Sequence, residues 1–245
     1  MKKIYLLIIA LTTLIVSCSS DDSGGTSSGP ILLKRYTNSS SNGALTSWDI
    51  EYEGNRQMKI KAADGVDHQD CFYTNDLVTN IKTFKGNSLQ YESILEYNQA
   101  GKLTKHIILQ DSKEILNIDI TYPSENVYVE TAYITSTQEV VTTTYTLLNG
   151  NIIKEESGNK LVEYEYDTKN IPKKNVQLAG IFQIIQFDSY NEYNTNNCVR
   201  KTTYFDGQIV ENITQDYTYN SDNYPVTRKS FYNGYLNNVT TFYYK

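Results

Sequence analysis

The amino-acid sequence predicts an all-β protein, an antiparallel meander of about 16 to 18 strands that is curled or closed into a barrel-like sheet. Three observations support this fold class: a tyrosine-based repeat, an alternation of apolar and polar residues, and regularly placed turn signals. The composition agrees with it, because the chain holds 22 tyrosines and only 4 prolines, and aromatic residues favour strands.

One short pattern, in which a strand ends in tyrosine just before a polar turn, returns along the chain. It occurs in EYNQAGKLTK at 96–105, EYEYDTKNIPKK at 163–174 and EYNTNNCVRK at 192–201. A unit of this kind accommodates two strands of about eight residues and two turns, which predicts an antiparallel meander. Nine landmark tyrosines, 24 residues apart on average, mark the units: Tyr52, Tyr73, Tyr97, Tyr122, Tyr145, Tyr166, Tyr193, Tyr219 and Tyr244.

Apolar and polar residues alternate within the predicted strands. In the stretches 89–97 and 116–122, leucine, isoleucine and tyrosine dominate one face, and polar residues dominate the other. This period of two is typical of an antiparallel sheet with one buried face. The landmark tyrosines are expected on that face, in cross-strand aromatic contacts.

Turn signals lie between the landmarks. Asp206-Gly207 and Asn233-Gly234 are dipeptides that favour a type I′ hairpin turn, which needs positive φ at both central residues. A sheet of so many strands seldom stays open, and its apolar face must be covered. We therefore expect it to close or to curl onto itself.

Residues 1–17 are interpreted as a lipoprotein signal peptide. Lys2 and Lys3 give a basic start, and Ile4–Val16 is an uncharged run of 13 residues, too short to span a bilayer as a helix. The sequence IVSC at 15–18 resembles the lipobox of bacterial lipoproteins, which implies that Cys18 is lipidated and becomes the mature N-terminus. The alternative is a soluble secreted protein cleaved near Ser17.

Residues 18–30 are predicted to form a lipid-anchored flexible linker, because serine, glycine and aspartate dominate them and such a segment cannot bury enough apolar surface to order itself. SSDD at 19–22 resembles the acidic export signal of Bacteroidetes-type lipoproteins. That resemblance implies the outer membrane, with the domain facing the cell exterior, and a plain polar tether is the alternative. Residues 31–245 are predicted to form one β-repeat domain.

The repeat itself carries a family resemblance over most of 45–245. The pattern Tyr-x-Tyr-(Asn/Asp)-x-x-(Gly/Asn)-x-(apolar)-x-Lys resembles the tyrosine-aspartate repeats of Rhs-type proteins, and still more the degenerate repeats of uncharacterised Bacteroidetes-type surface lipoproteins with a porin-like fold. Here the acidic position is usually asparagine, and several glycines are missing. The resemblance implies an architecture and a cell-surface location, without a chemistry.

Composition and motifs argue against several classes of function. A net charge of −6 and a pI near 5.0 oppose nucleic-acid binding, which needs a basic stripe. The sequence has no nucleophile elbow, P-loop, dinucleotide fingerprint or metal-site cysteine pair, and His106 is expected on the polar face of its strand. We therefore predict a binding or structural module that is not an enzyme and needs no cofactor.

Two alternative functions involve a carbohydrate ligand. The first is a glycan-binding accessory protein that uses exposed aromatic residues, for which Trp48, Tyr224 and Tyr235 are the candidates. The second is a carboxylate-dependent glycoside hydrolase, suggested by Glu163 and Glu165. The expected partners are the membrane, through the lipid anchor, and a polysaccharide or an envelope protein.

The remaining candidates are a cation site and a disulfide. Asp64, Asp67 and Asp70 surround a short loop, and calcium requires several converging oxygens, although aspartate is also an ordinary turn former. Cys71 and Cys198 follow the lipobox cysteine. Export permits them to pair, and the alternative is two small unpaired strand residues.

Overall fold

The structure is a closed antiparallel β-barrel. This computed structural model describes residues 29–177 and 194–245, so the predicted signal peptide, most of the linker and Tyr193 lie outside the described residues. The sixteen strands found in these two ranges are β1 (Leu33–Ser40), β2 (Leu45–Glu53), β3 (Arg56–Ala62), β4 (Asp67–Thr74), β5 (Leu77–Lys85), β6 (Ser88–Tyr97), β7 (Leu103–Gln110), β8 (Lys113–Ser124), β9 (Val127–Ile134), β10 (Glu139–Leu148), β11 (Asn151–Ser157), β12 (Lys160–Tyr166), β13 (Cys198–Phe205), β14 (Gln208–Tyr219), β15 (Pro225–Tyr232) and β16 (Tyr235–Tyr244).

Strand pairing follows chain order all the way round. Every strand pairs with its sequence neighbours, and β1 pairs with β16, which closes the sheet. The predicted all-β meander is therefore confirmed, and of the two expected forms the sheet takes the closed one. In the described part of the chain, no helix is long and apolar enough to cross a membrane.

The eight landmark tyrosines among the described residues lie at or near the ends of even-numbered strands, as predicted. Tyrosine hydroxyls explain why the pattern repeats. The barrel contains eight pairs in which an odd-numbered strand is followed by an even-numbered one. In seven of these pairs, a tyrosine hydroxyl of the second strand donates to a backbone carbonyl near the start of the first, over 2.5 to 3.1 Å. A buried phenol thereby keeps a hydrogen-bond partner. The pairs are Tyr52 to Leu33, Tyr73 to Gln57, Tyr97 to Val78, Tyr122 to Leu103, Tyr166 to Ile152, Tyr217 to Cys198 and Tyr244 to Pro225.

Two strand pairs vary this arrangement: one uses a tyrosine other than the landmark as the donor, and the other uses a carboxylate as the acceptor. In β13–β14 the donor is Tyr217, while the landmark Tyr219 donates to Asp167. In β9–β10 the landmark Tyr145 donates to the Glu130 carboxylate over 3.2 Å and stacks on Tyr128, with ring centroids 4.5 Å apart. The repeat is therefore held mainly by hydroxyl-to-carbonyl bonds rather than by the aromatic ladder expected from the sequence.

Replacing Tyr122 with Phe tests this device. The ring stays buried while its 2.9 Å bond to the Leu103 carbonyl is lost, so we expect the free energy of unfolding to fall by about 1 kcal/mol. Urea unfolding of the variant measures it. The matched control is Tyr133→Phe, since Tyr133 lies on the outer wall and is 40% exposed. Equal losses in the two variants would mean that the repeat tyrosines act through ring burial alone.

The two ends of the barrel differ. At the packed end, where odd-numbered strands begin, the apolar side chains that begin these strands are buried: Leu33, Val78, Leu103, Ile152 and Cys198. Residues 167–177 and 194–197, which lie between β12 and β13, cover this end, because their hydrogen bonds go to separate turns around it. Gln177 donates to the Asn55 carbonyl over 2.9 Å, and Asn170 donates to the Asn223 carbonyl over 3.0 Å.

The open end carries short hairpins. At Asp206-Gly207 and Asn233-Gly234 both central residues have positive φ (49° and 75°, 48° and 86°), so the predicted type I′ turns are confirmed. Apolar side chains are exposed around this rim, among them Leu45, Val140, Ile209 and Tyr235.

The outer wall is charged. A row of opposite signs crosses the neighbouring strands β2 to β6: Glu51, Lys59, Asp70, Lys82 and Glu92. Lys59 lies 3.1 Å from Asp70, and Lys82 lies 3.5 Å from Glu92. Arg35 and Asp49 form a two-bond pair at 2.7 and 2.9 Å. Lipid-facing barrels present an apolar band outward, so this wall has the character of a water-facing surface.

Cys71 and Cys198 lie in the same core cluster and are both free. Burial raises the pKa of each thiol to about 12, which keeps both protonated and unreactive. Of the two alternatives left by the sequence, unpaired strand residues are therefore what the structure contains.

Candidate functional site

The inner wall between β2 and β6 carries a continuous row of side chains towards the open end. Directly opposed residues of paired strands share one face of a sheet. The row begins at the buried Ile50 and Ile60 and continues across the next three strands on the inner face. Spacing in the sequence alone would not have predicted that these residues are neighbours. Its members, in strand order, are Ile50, Ile60, Gln69, Thr83 and Tyr91.

A cleft opens beside this row, and we name it the Trp48 cleft. Its volume is about 300 Å³, at the lower end of the range for small-molecule sites. The β3–β4 pairing beside it is the shortest among the described strands, with three residue pairs. The lining residues are Trp48, Ile60, Asp67, His68, Gln69, Thr83, Phe84, Lys85, Gln90 and Tyr91.

The aromatic side chains of the cleft differ in exposure. Trp48 packs against the buried cluster that includes Tyr36, Ile50 and Ile60, so its indole is held in place. Tyr91, on β6, is 42% exposed. One aromatic surface is therefore fixed by the core, and the other is open to a ligand.

The polar side chains include both charges and an amide. Asp67 lies opposite Lys85 in the β4–β5 pairing, and both share the inner face with Gln69. Gln69 Nε2 donates to Thr83 Oγ1 over 3.3 Å. Asp67 Oδ1 is buried and has no hydrogen-bond partner among the described residues. The cleft thus contains an acceptor that its own walls leave unsatisfied.

The opposite face of the same hairpin is stiffened. The rings of His68 and Phe84 stack with centroids 4.6 Å apart and an interplanar angle of 10°. Because these two residues alternate with Asp67, Gln69 and Lys85 along the strands, their stacking fixes the backbone that presents the polar groups.

The three aromatic candidates from the sequence have separate locations. Trp48 lines the cleft. Tyr224 is only 5% exposed; its hydroxyl accepts a hydrogen bond from Asn175 Nδ2 over 2.9 Å, and its ring lies 5.4 Å from that of Tyr244. It belongs to the packed end rather than to an exposed surface. Tyr235 is 81% exposed at the rim but does not line the cleft.

The three aspartates of the proposed cation site are not brought together. Asp64 Oδ1 accepts a hydrogen bond from the Val66 amide over 2.9 Å, as a turn former does. Asp67 faces inward, whereas Asp70 faces outward and pairs with Lys59 at 3.1 Å. In residues 29–177 and 194–245, no group of three or more His, Cys, Asp or Glu side chains is placed to hold a metal ion.

The paired carboxylates Glu163 and Glu165 lie on the outer wall. Glu163 is opposite Lys154 in the β11–β12 pairing, and Glu165 lies 3.2 Å from Arg200. Glu165 lines a cleft together with Arg200 and Asp216, but Glu163 does not. The two carboxylates therefore do not flank one cleft, and their arrangement does not support the two-carboxylate chemistry that the sequence left open.

A cluster of inner side chains, formed by Glu130, Tyr145, Glu155 and Tyr164, was not predicted from the sequence. Burial raises the pKa of Glu130 to about 7, the Tyr145 hydroxyl opposes this shift by donating to the carboxylate, and Glu155 adds to it. Glu155 is itself buried, and it pairs with Lys160 at 2.9 Å and accepts a bond from the Tyr164 hydroxyl at 3.0 Å. The signal was present, because the period of two places Glu130 in phase with the inward Tyr128.

His106 corrects a further expectation. It was expected on the polar face, yet it is 5% exposed and lies inward between Leu95 and Ile118 of the neighbouring strands. Its Nε2 is 3.1 Å from Ser93 Oγ. Burial lowers its pKa to about 4, so the imidazole is neutral at physiological pH.

Comparisons with known proteins give a structural likeness only. No family model matches the chain, and no curated protein matches it. It is similar to the crystal structure of a porin-like protein from Bacteroides uniformis, with a TM-score of 0.41 and 12% identity over 87% of this chain and 85% of that one. The lipid anchor and the tyrosine-aspartate repeat family stay predictions.

Proposed function

We propose that this protein is a non-catalytic binding module of the cell envelope, anchored in the outer membrane by lipid on Cys18 and facing the cell exterior. The observation that carries the proposal is the difference between the two ends of the barrel. The packed end receives the chain from the anchor, and the open end holds the Trp48 cleft, in which aromatic and polar groups lie together.

The position of β1 supports an orientation. Leu33 begins β1 at the packed end, and Leu32 and Lys245 bond to each other there through their backbones, at 3.0 and 3.2 Å. The chain from Cys18 to Leu33 reaches at most about 50 Å even when fully extended. Because the tether joins the barrel at its packed end, a lipid on Cys18 favours an orientation with that end nearer the membrane and the Trp48 cleft facing away from it.

The interior chemistry supports binding rather than catalysis. The half-buried Glu130 and the buried Glu155 accept hydrogen bonds from Tyr145 and Tyr164, and the free thiols are held protonated by burial. The cleft itself has one carboxylate, on Asp67. The His68 ring stacks on Phe84, and the Thr83 hydroxyl accepts a bond from Gln69. A single acid in this setting suits the orientation of a ligand better than acid–base chemistry.

Substitution of the lipobox cysteine tests the anchor. We expect Cys18→Ala to abolish incorporation of labelled palmitate and to move the protein from the outer-membrane fraction to the soluble fraction. The matched control is Cys71→Ala, which should keep both label and location. On intact cells, added protease should digest the wild-type barrel. A Cys18→Ala protein that stays labelled and membrane-bound would refute the anchor, and complete protection from protease would refute the outward orientation.

A further inference from the structure

We propose that the Trp48 cleft binds a neutral saccharide unit, with one face of a sugar ring against Trp48 and Tyr91 and its hydroxyls bonded to Asp67, Gln69 and Lys85. The inference rests on the proposed binding function and names its ligand class. It assigns three residues that the sequence did not single out as ligand-binding, Gln69, Lys85 and Tyr91, and it gives Asp67, a candidate cation ligand in the sequence, a different role.

The aromatic pair suits a sugar ring. A pyranose presents C–H groups on one face, and these are attracted to the negative face of an aromatic ring. Trp48 provides a surface that the core holds in place, and Tyr91 provides one that is 42% exposed. A preorganised aromatic surface loses little conformational entropy when a ligand binds.

The polar groups suit hydroxyls rather than ions. Sugar hydroxyls donate and accept, and the cleft offers a carboxylate, an amide and an ammonium group on the same inner face. A bare cation would meet Lys85 and find only one carboxylate, which is too few oxygens for a hard ion. A phosphate or uronate would meet the carboxylate of Asp67. The opposed charges thus favour a ligand without net charge.

The unsatisfied oxygen of Asp67 would orient the ligand within the cleft. Asp67 Oδ1 is buried and has no partner in the described chain, and a buried acceptor without a donor is costly. A ligand hydroxyl that donates to it would remove that cost. Recognition through such a group is sensitive to the ligand, because an analogue without the hydroxyl leaves the oxygen unpaired.

The test uses the lipidated full-length protein in a detergent without a sugar headgroup. Trp48 is the only tryptophan, so selectively excited tryptophan fluorescence reports directly from the cleft, and calorimetry gives the affinity. The probes are methyl glycosides of glucose, galactose, mannose and N-acetylglucosamine, together with trisaccharides of glucose. At least one probe should shift the emission with a dissociation constant in the millimolar range or tighter.

Four variants separate the contributions. Tyr91→Ala should weaken binding about tenfold, and Tyr91→Phe should change it less than about twofold, because the ring is kept. Asp67→Asn should weaken binding about tenfold through its loss of a charged acceptor. Tyr133→Ala is the matched control, since this outer-wall tyrosine is 40% exposed, and it should bind like the wild type. Thermal melts confirm that each variant is folded.

Three results would overturn the inference. The first is that no probe changes either signal. The second is that only glucuronate or inorganic phosphate binds. The third is that Tyr91→Ala and Tyr133→Ala bind a sugar equally well, which would place it elsewhere. Failure of the anchor is seen separately, as a loss of palmitate label from Cys18, and it leaves the fluorescence result intact.

Discussion

Replacing Glu130 with Gln is expected to stabilise the barrel above pH 7 by about 3 kcal/mol and to leave its stability below pH 4.5 unchanged. Burial raises the pKa of this carboxyl from 4.5 to about 7, so the folded state holds the proton more tightly than the unfolded state. The stabilisation from the protonated form is present below pH 4.5 and is lost as pH rises through 7. Glutamine imitates the protonated acid and still accepts from Tyr145.

His106 gives the pH dependence its second half. Burial lowers the pKa of this imidazole from 6.5 to about 4, so its contribution to stability is present above pH 6.5 and is lost as pH falls through 4. Between these limits the slopes of Glu130 and His106 are opposite and of similar size. The wild type should therefore change little in stability from pH 4.5 to 6.5, and Glu130→Gln should gain stability as pH rises through that interval.

Urea unfolding across this pH range measures both effects. The matched control is Glu96→Gln, an exposed position on the outer wall, which should shift the free energy of unfolding by less than about 0.5 kcal/mol at any pH. If Glu130→Gln follows the wild-type curve throughout, then Glu130 is not the buried proton-binding group that the inner cluster indicates.

Replacing Gly150 with Ala is expected to lower the free energy of unfolding by about 3 kcal/mol. Gly150 has a φ of +78°, and a Cβ at this position would lie 2.3 Å from Thr195 Oγ1. The loss has two parts, a left-handed backbone that alanine adopts with strain and an overlap with the segment that covers the packed end. Chemical denaturation gives the total, and two further variants divide it.

Gly207 provides the control for the backbone part. Its φ is +75°, yet nothing lies within 4 Å of a Cβ there, so Gly207→Ala should cost only about 1 kcal/mol. Adding Thr195→Ala to Gly150→Ala removes the overlapping oxygen and leaves Thr195 Cβ at 3.6 Å. The double variant should thus return to the level of Gly207→Ala. Equal losses in the two single variants would show that the close approach of the segment has no energetic consequence.

The Gly150 site matters because the neighbouring turn holds the covering segment in place. Asn151 Nδ2 donates to Asn196 Oδ1 over 3.0 Å, and the Ile152 amide donates to Asn194 Oδ1 over 3.1 Å. The two acceptors, Asn194 and Asn196, lie between β12 and β13. The closed state of the packed end therefore depends on contacts between positions more than forty residues apart in the chain.

The sequence by itself determined the fold class and the regular spacing of strands and turns. Alternation and the tyrosine spacing are local properties, since a strand has a period of two and a hairpin turn is specified by its own residues. For this reason Asp206-Gly207 adopts the predicted turn, Tyr97 ends its strand, and Tyr122 lies two residues before the end of its strand. The same local rules placed Glu130 in phase with Tyr128, although its burial became evident only in the structure.

Only the tertiary structure decided which positions are buried, which end is covered and which side chains meet. Tyr224 and His106 were expected on exposed or polar faces, but both are buried. Tyr224 is covered at the packed end, where it contacts Asn175 and Tyr244, and His106 faces the interior of the closed sheet. The Trp48 cleft draws on five strands, from Trp48 in β2 to Tyr91 in β6. Such a site depends on strand register and closure, and these are set by contacts between residues far apart in the chain rather than by any local pattern.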